Sequence, residues 1–337
     1  MGKTGKASIE FDEMPYVFEN ASVVGQKESE GPLGAFFDRV ITDPMAGMNT
    51  WEEAESQFQR ILVETLLDKS GISKEEIRYI FSGDLLGQLI ATSFGIQDFE
   101  IPLFGLYGAC STMGEAMSLG AVMVSAGYAE NVIAMTSSHF ASAEKQFRFP
   151  LEYGNQRPLS STWTVTGAGG VIISSKKSGP CRIKGITTGK IMDYGIKDSF
   201  NMGAAMAPAA SDVIYNHFMD FDIGPDYYDA IYTGDLGYVG QEILIELMNK
   251  KGFDISKIHR DCGIEIYDRE TQGTNSGGSG CGCSATTLSA HIIREMQEGK
   301  LKKVLFVPTG ALLSPISFNE GKSVPGIAHA VSLERTE

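Results

Sequence analysis

GLYGACSTMGEAMSLGAVMVSAGYAENVIAMTSSHF, residues 105–140, reads as a tight Gly-containing turn, a helix opening at Cys110-Ser111, a stop at Gly127 and a strand at 131–135. The helix is small or apolar on every side, with Glu115 its only charge. Such a helix is packed between layers instead of lying on a surface. A cysteine at its mouth sits where unpaired N–H groups and the helix dipole favour negative charge, which lowers a thiol pKa and makes a nucleophile. The other reading of Cys110 is an inert core thiol, since free cysteine is among the most buried residue types.

Working outward, a phrase repeats. Residues 68–84 read DKSGISKEEIRYIFSGD, and residues 220–235 read DFDIGPDYYDAIYTGD. Each passes from a helix end through Gly and an acidic turn to a short apolar strand closed by Ser/Thr-Gly-Asp-Leu. Gly108-Ala109-Cys110-Ser111 opens one buried helix and Gly282-Cys283-Ser284 a second, closed by Gly127 and Gly299, with apolar strands at 132–135 and 304–307. A repeat of about 150 to 170 residues, far longer than a solenoid unit, predicts two similar α/β halves, residues 1–175 and 176–337, with the two buried helices facing each other.

The remaining elements follow from local signals. A strand is expected at 16–25 and a helix from the Thr50 cap, with Glu52 and Glu53 in its first turn, to Gly71. A polar connection spans 143–162, a hairpin with a Gly turn at 167–170 lies in 163–174, and a strand starts the second half at 181–191. GAGG at 167–170 lacks the full dinucleotide fingerprint and precedes no helix. Cys281-Gly-Cys283 without a second pair at zinc spacing reads as structural, and no metal is expected.

Composition narrows the function classes. A net charge of −14 opposes nucleic-acid binding and broad adhesion to anionic lipid. No apolar run reaches transmembrane length, and the first residues form neither a signal peptide nor a myristoylation pattern. Five cysteines in an odd, uneven set suit a reducing cytosol. A soluble, cytoplasmic-type chain is expected.

The duplicated strand, Gly-Ala-Cys-Ser turn, buried helix, Gly and apolar strand resemble the thiolase and ketoacyl synthase superfamily. MPYVFENASVVG, GACSTMGEAMSLGAVM, PLSSTWTVTGAGG and GGSGCGCSATTL are similar, more closely, to a stage V sporulation branch of it. The resemblance implies a five-layered α-β-α-β-α fold with Cys110 at the nucleophile position. Working members carry two His, or a His and an Asn, from the second half. Here the strand end reads Tyr232-Thr233-Gly234-Asp235-Leu236, the Gly-rich loop has Ser279 near the matching place, and Pro308-Thr309-Gly310 lacks the second cysteine of thiolases. An anion at Asp235 would raise the Cys110 pKa, and His139 is the imagined substitute base or a turn histidine.

The same resemblance implies binding of dipicolinic acid, free or as its calcium chelate, for uptake into the developing spore, with no cofactor. One carboxylate is expected at Cys110-Ser111, with neutral hydrogen bonds from Ser137, Ser138, His139, Ser279 and Thr309 and a bidentate contact from Arg148 or Arg157. It also implies a homodimer, other stage V sporulation membrane proteins as partners, and a peripheral place on the spore inner membrane. The alternatives are a condensing or acyltransferase enzyme using Cys110, and a scaffold subunit of a membrane channel complex.

Overall fold

A computed structural model describes residues 2–148 and 156–336. The strands along the main path of its largest sheet, in chain order, are β1 (Tyr16–Gly25), β2 (Tyr79–Gly83), β3 (Leu103–Gly105), β4 (Asn131–Ser138), β5 (Gly167–Ser174), β6 (Cys181–Thr187), β7 (Ala230–Thr233), β8 (His259–Asp261), β9 (Lys303–Val307) and β10 (Ala330–Arg335). They run β8-β7-β9-β10-β6-β1-β5-β4-β2-β3 across the sheet. From the seam outward each half follows the same order: its first, fifth, fourth, second and third strand. Orientations match too, antiparallel for β4–β5 and β9–β10, parallel for β2–β4 and β7–β9. The repeat read in the sequence is therefore a repeat of topology. The halves join where β1 meets β6, with Val17 opposite Cys181 and Tyr16 opposite Arg182.

The main helices are α1 (Trp51–Ser70), α2 (Thr112–Ser125), α3 (Phe140–Phe147), α4 (Met202–Phe221), α5 (Gly237–Lys250) and α6 (Cys281–Thr287). A reciprocal capping box between Thr50 and Glu53 starts α1, and Gly71 at φ 67° ends it. One outer layer buries Phe58, Leu62 and Leu66 of α1 against Ala21, Ile133 and Ile172. The opposite outer layer sets Met206, Ile214 and Phe218 of α4 on Leu305, Val307 and Ala330. Between the half-sheets, Met113, Met117 and Ala121 of α2 share a core with Ala285 of α6, Leu288, Phe81, Val171, Phe306 and Val331. The fold is thus a five-layered α-β-α-β-α arrangement.

Several local expectations are corrected. GAGG is no turn: Gly167–Ser174 is one fully buried strand, and only Trp163–Thr164 ahead of it pairs elsewhere, parallel to Gly278–Ser279. The glycines serve close packing, since a Cβ on Gly169 would lie 2.3 Å from the backbone carbonyl carbon of Ala285 in α6. The polar connection begins later than expected, because Phe140–Phe147 is helical; its residues 149–155 lie outside the described residues. The strand expected at 181–191 stops at Thr187. The helix α4 continues through Pro208, against the usual rule that proline ends a helix.

Candidate functional site

The turn before α2 is built by its own polar groups. Ala109 takes φ 50°, a left-handed conformation that a non-glycine residue seldom adopts. Ser111 Oγ donates to Gly108 O at 2.7 Å, and Thr112 Oγ1 donates to Ala109 O at 2.6 Å. A short 3-10 turn, Ala109–Ser111, therefore precedes the helix proper, and Cys110 lies in that turn. Gly310 lets the opposing strand close on it, for a Cβ there would fall 2.4 Å from Gly108 O. Strain of about 1–3 kcal/mol at such a residue persists only where packing on both sides enforces it.

Cys110 forms the floor of a cavity of about 440 Å³. The walls are mostly apolar, with Leu85, Ala143, Phe147, Met202, Leu312, Leu313, Pro315 and Ile316, and Tyr107 stands near the mouth. Ser279, Gly280, Thr164, Gln146 and Arg148 add the polar lining. The volume lies within the range of about 300–1,000 Å³ typical of small-molecule sites.

The Cys110 thiol is not activated. Burial pushes it well above its ordinary value, the Asp235 carboxyl and Cys281 push it further, and the Gly280 N–H opposes them weakly. The expectation that the helix mouth lowers this pKa is therefore overturned by burial, whereas the expected effect of Asp235 has the right sign. Asp235 is fully buried behind the floor, hydrogen-bonded to the thiol, to Thr309 Oγ1 at 2.8 Å and to the Gly280 N–H at 3.1 Å. Burial raises its carboxyl to about 7 against those hydrogen bonds.

The candidate residues divide into three groups. Cys110, Ser279 and Arg148 line the cavity, and Asp235 and Thr309 stand directly behind its floor. Ser111 is close in sequence, but its hydroxyl is turned back onto Gly108. Ser137, Ser138 and His139 are directed elsewhere. Ser137 Oγ donates to Glu55 at 2.8 Å and accepts from Gln59 at 2.7 Å, while Ser138 Oγ donates to Val165 O at 2.7 Å. His139 caps α3, its Nδ1 accepting from the Ala141 N–H and its Nε2 lying 2.9 Å from Pro44 O. Burial holds its imidazole below the ordinary range. It is a turn histidine, and no histidine is found among the described residues lining the cavity. Cys281 and Cys283 diverge, toward Ser137 O and Gly234 O respectively.

Arg148 and Arg157 behave differently from each other. Both donate to the same oxygen of Glu144, at 2.9 and 3.0 Å. Arg157 is turned away from the cavity, stacked over Phe140 and Trp163. Arg148 also donates to Ser199 O at 3.3 Å and lies over Phe200, and its buried Nε has no partner among the described residues. Sequence reasoning missed Glu144, the lining segment 311–316 and Tyr107. The i, i+4 spacing of Glu144 and Arg148 on one helix was the available signal for the first.

Comparison with known proteins agrees with this architecture. The family described as "Stage V sporulation protein AD (SpoVAD)" matches residues 5–334. Stage V sporulation protein AD of Bacillus subtilis (strain 168) is 42% identical over 335 residues, covering 99% of this chain and 98% of the relative. Among solved structures, 3-oxoacyl-[acyl-carrier-protein] synthase III from Aquifex aeolicus VF5 matches with a TM-score of 0.56 at 12% identity, covering 95% of this chain and 99% of that one. Human mitochondrial 3-ketoacyl-CoA thiolase in complex with CoA gives 0.56 at 13% identity, covering 98% and 100%. At such identities these two structures speak to fold alone.

Proposed function

The chain belongs to the stage V sporulation protein AD family, and from that premise we propose that it binds dipicolinic acid, free or as its calcium chelate, for uptake into the developing spore. The observation that carries this reading is Arg148, whose side chain lines an otherwise mostly apolar cavity and whose buried Nε has no partner among the described residues. An aromatic ring fits between Phe147, Leu312 and Leu313, and one carboxylate meets Arg148. Arg157 contributes through Glu144 and makes no direct contact in this reading. Acyl transfer at Cys110 is disfavoured by a thiol that burial and the Asp235 carboxyl keep protonated, with no histidine among the described residues lining the cavity.

Calorimetry with dipicolinate tests the assignment. Arg148→Met is expected to weaken binding by about 2 kcal/mol or more, roughly thirtyfold. Unchanged affinity in both Arg148→Met and Cys110→Ala would remove the cavity from consideration.

In this reading the chain acts at the spore inner membrane as a peripheral subunit recruited by other stage V sporulation membrane proteins. No helix of the described residues is long and apolar enough to cross a membrane. A homodimer fits the open sheet edge at β3, where Leu103 and Phe104 are exposed. Phe104→Glu should then shift the sedimentation coefficient from dimer to monomer, and a monomeric parent protein would sink this part of the reading.

A further inference from the structure

We propose, resting on the dipicolinate reading above, that an aromatic dicarboxylate enters the cavity together with one proton, held by the Asp235–Cys110 pair at the floor. The argument is a charge balance. At the wall, Arg148 and Arg157 share the single carboxylate of Glu144, leaving one net positive charge for one ligand carboxylate. At the floor the Cys110 thiol and the Gly280 N–H are both directed at Asp235. A second ligand carboxylate arriving there finds a buried carboxylate behind the floor and, apart from Arg148, no cation among the described residues lining the cavity.

Of the other groups bearing on this pair, Asp261 adds negative charge, while the neighbouring thiols and Tyr107 stay neutral at pH 7 and offer no compensating cation. Asp261, at the end of β8, raises the Asp235 carboxyl, and Cys281 raises the Cys110 thiol. Cys262 and Cys283 lie within the field of Asp235, and Tyr107 within that of Cys110 and Cys281. Arg148 is the cation that feels Cys110, and it is committed to the wall. Two like charges confined together take up a proton. Asp235 is already poised near 7 without ligand, so a small additional anionic field suffices to hold it protonated at neutral pH.

The sign follows. Below about pH 7 Asp235 carries its proton before binding and affinity is level; above it, one proton must be taken up and affinity falls, by up to roughly tenfold per pH unit. The test is calorimetry of the full chain with sodium dipicolinate at pH 8, first without and then with added calcium, in buffers of differing ionisation enthalpy. A binding heat that varies with the buffer at about one proton taken up per ligand supports the inference, as does Asp235→Asn binding with no proton uptake and a flat pH profile. Binding with buffer-independent heat overturns it while leaving the dipicolinate reading intact. So does calcium-dependent binding without proton uptake, which would make the metal the neutralising charge. Absence of dipicolinate binding both without and with calcium overturns both readings.

Discussion

Replacing Glu144 with alanine is expected to lower folding stability by about 3–5 kcal/mol. The Glu144 side chain is 1% exposed, and its Oε1 accepts from two guanidinium groups that are themselves 10% and 7% exposed. The triad need not stabilise the fold relative to an apolar core, because desolvating three charges opposes their attraction. Removing the one anion is different: two cations are left beside each other in a low-dielectric setting, and Arg148 already lacks a partner at Nε among the described residues. Glu144→Gln keeps the shape and one acceptor, so it should lose less. Urea unfolding followed by circular dichroism measures the series. A Glu144→Ala midpoint within error of the parent would show that the arginines are solvated and not held by this carboxylate.

Gly169→Ala is expected to destabilise by about 3 kcal/mol or more, at the upper end of overpacking effects. The added methyl meets the Ala285 carbonyl carbon at 2.3 Å, its oxygen at 2.4 Å and the Thr286 nitrogen at 2.5 Å. All three are backbone atoms of α6, so no rotamer change relieves the clash, and the helix must move off β5. Gly71→Ala is the control, with nothing within 4 Å of its Cβ but a φ of 67°. That change should lose only about 1–2 kcal/mol, from the left-handed conformation alone. Thermal unfolding of the two variants separates contact from conformation. Equal shifts would mean that the sheet and the buried helix are not pressed together at Gly169.

Much of the fold was legible because its signals are local. The capped helix from Thr50, the all-apolar helix after Cys110 and the strand read at 131–135, which continues to Ser138, are written in consecutive residues. Where the reading failed, a local rule met a tertiary demand. Glycines that mark turns in isolated chains were needed at 167–170 for helix approach. The site was legible in part. Cys110, Arg148, Ser279 and Asp235 come together, while Ser137 and His139, neighbours along β4 and its end, are drawn into separate polar networks. Ser137 ends up among the polar groups of α1, whereas His139 lies past the end of the strand as the cap of α3, so closeness in sequence did not imply a shared cavity.

By itself, the sequence determined the duplicated α/β plan, the buried helices and the place of Cys110 at the mouth of one of them, because periodicity and glycine punctuation act over a few residues. Only the tertiary structure decided the chemical state of that cysteine. Its thiol is set by burial and by Asp235, which the fold brings across from the other half to the floor of the cavity. It likewise decided which arginine lines the cavity, by giving Arg157 to Glu144 and two aromatic rings and leaving Arg148 in the wall. Charge and solvation depend on distances between segments remote in sequence, and those distances exist only once the two half-sheets have closed on the helices between them.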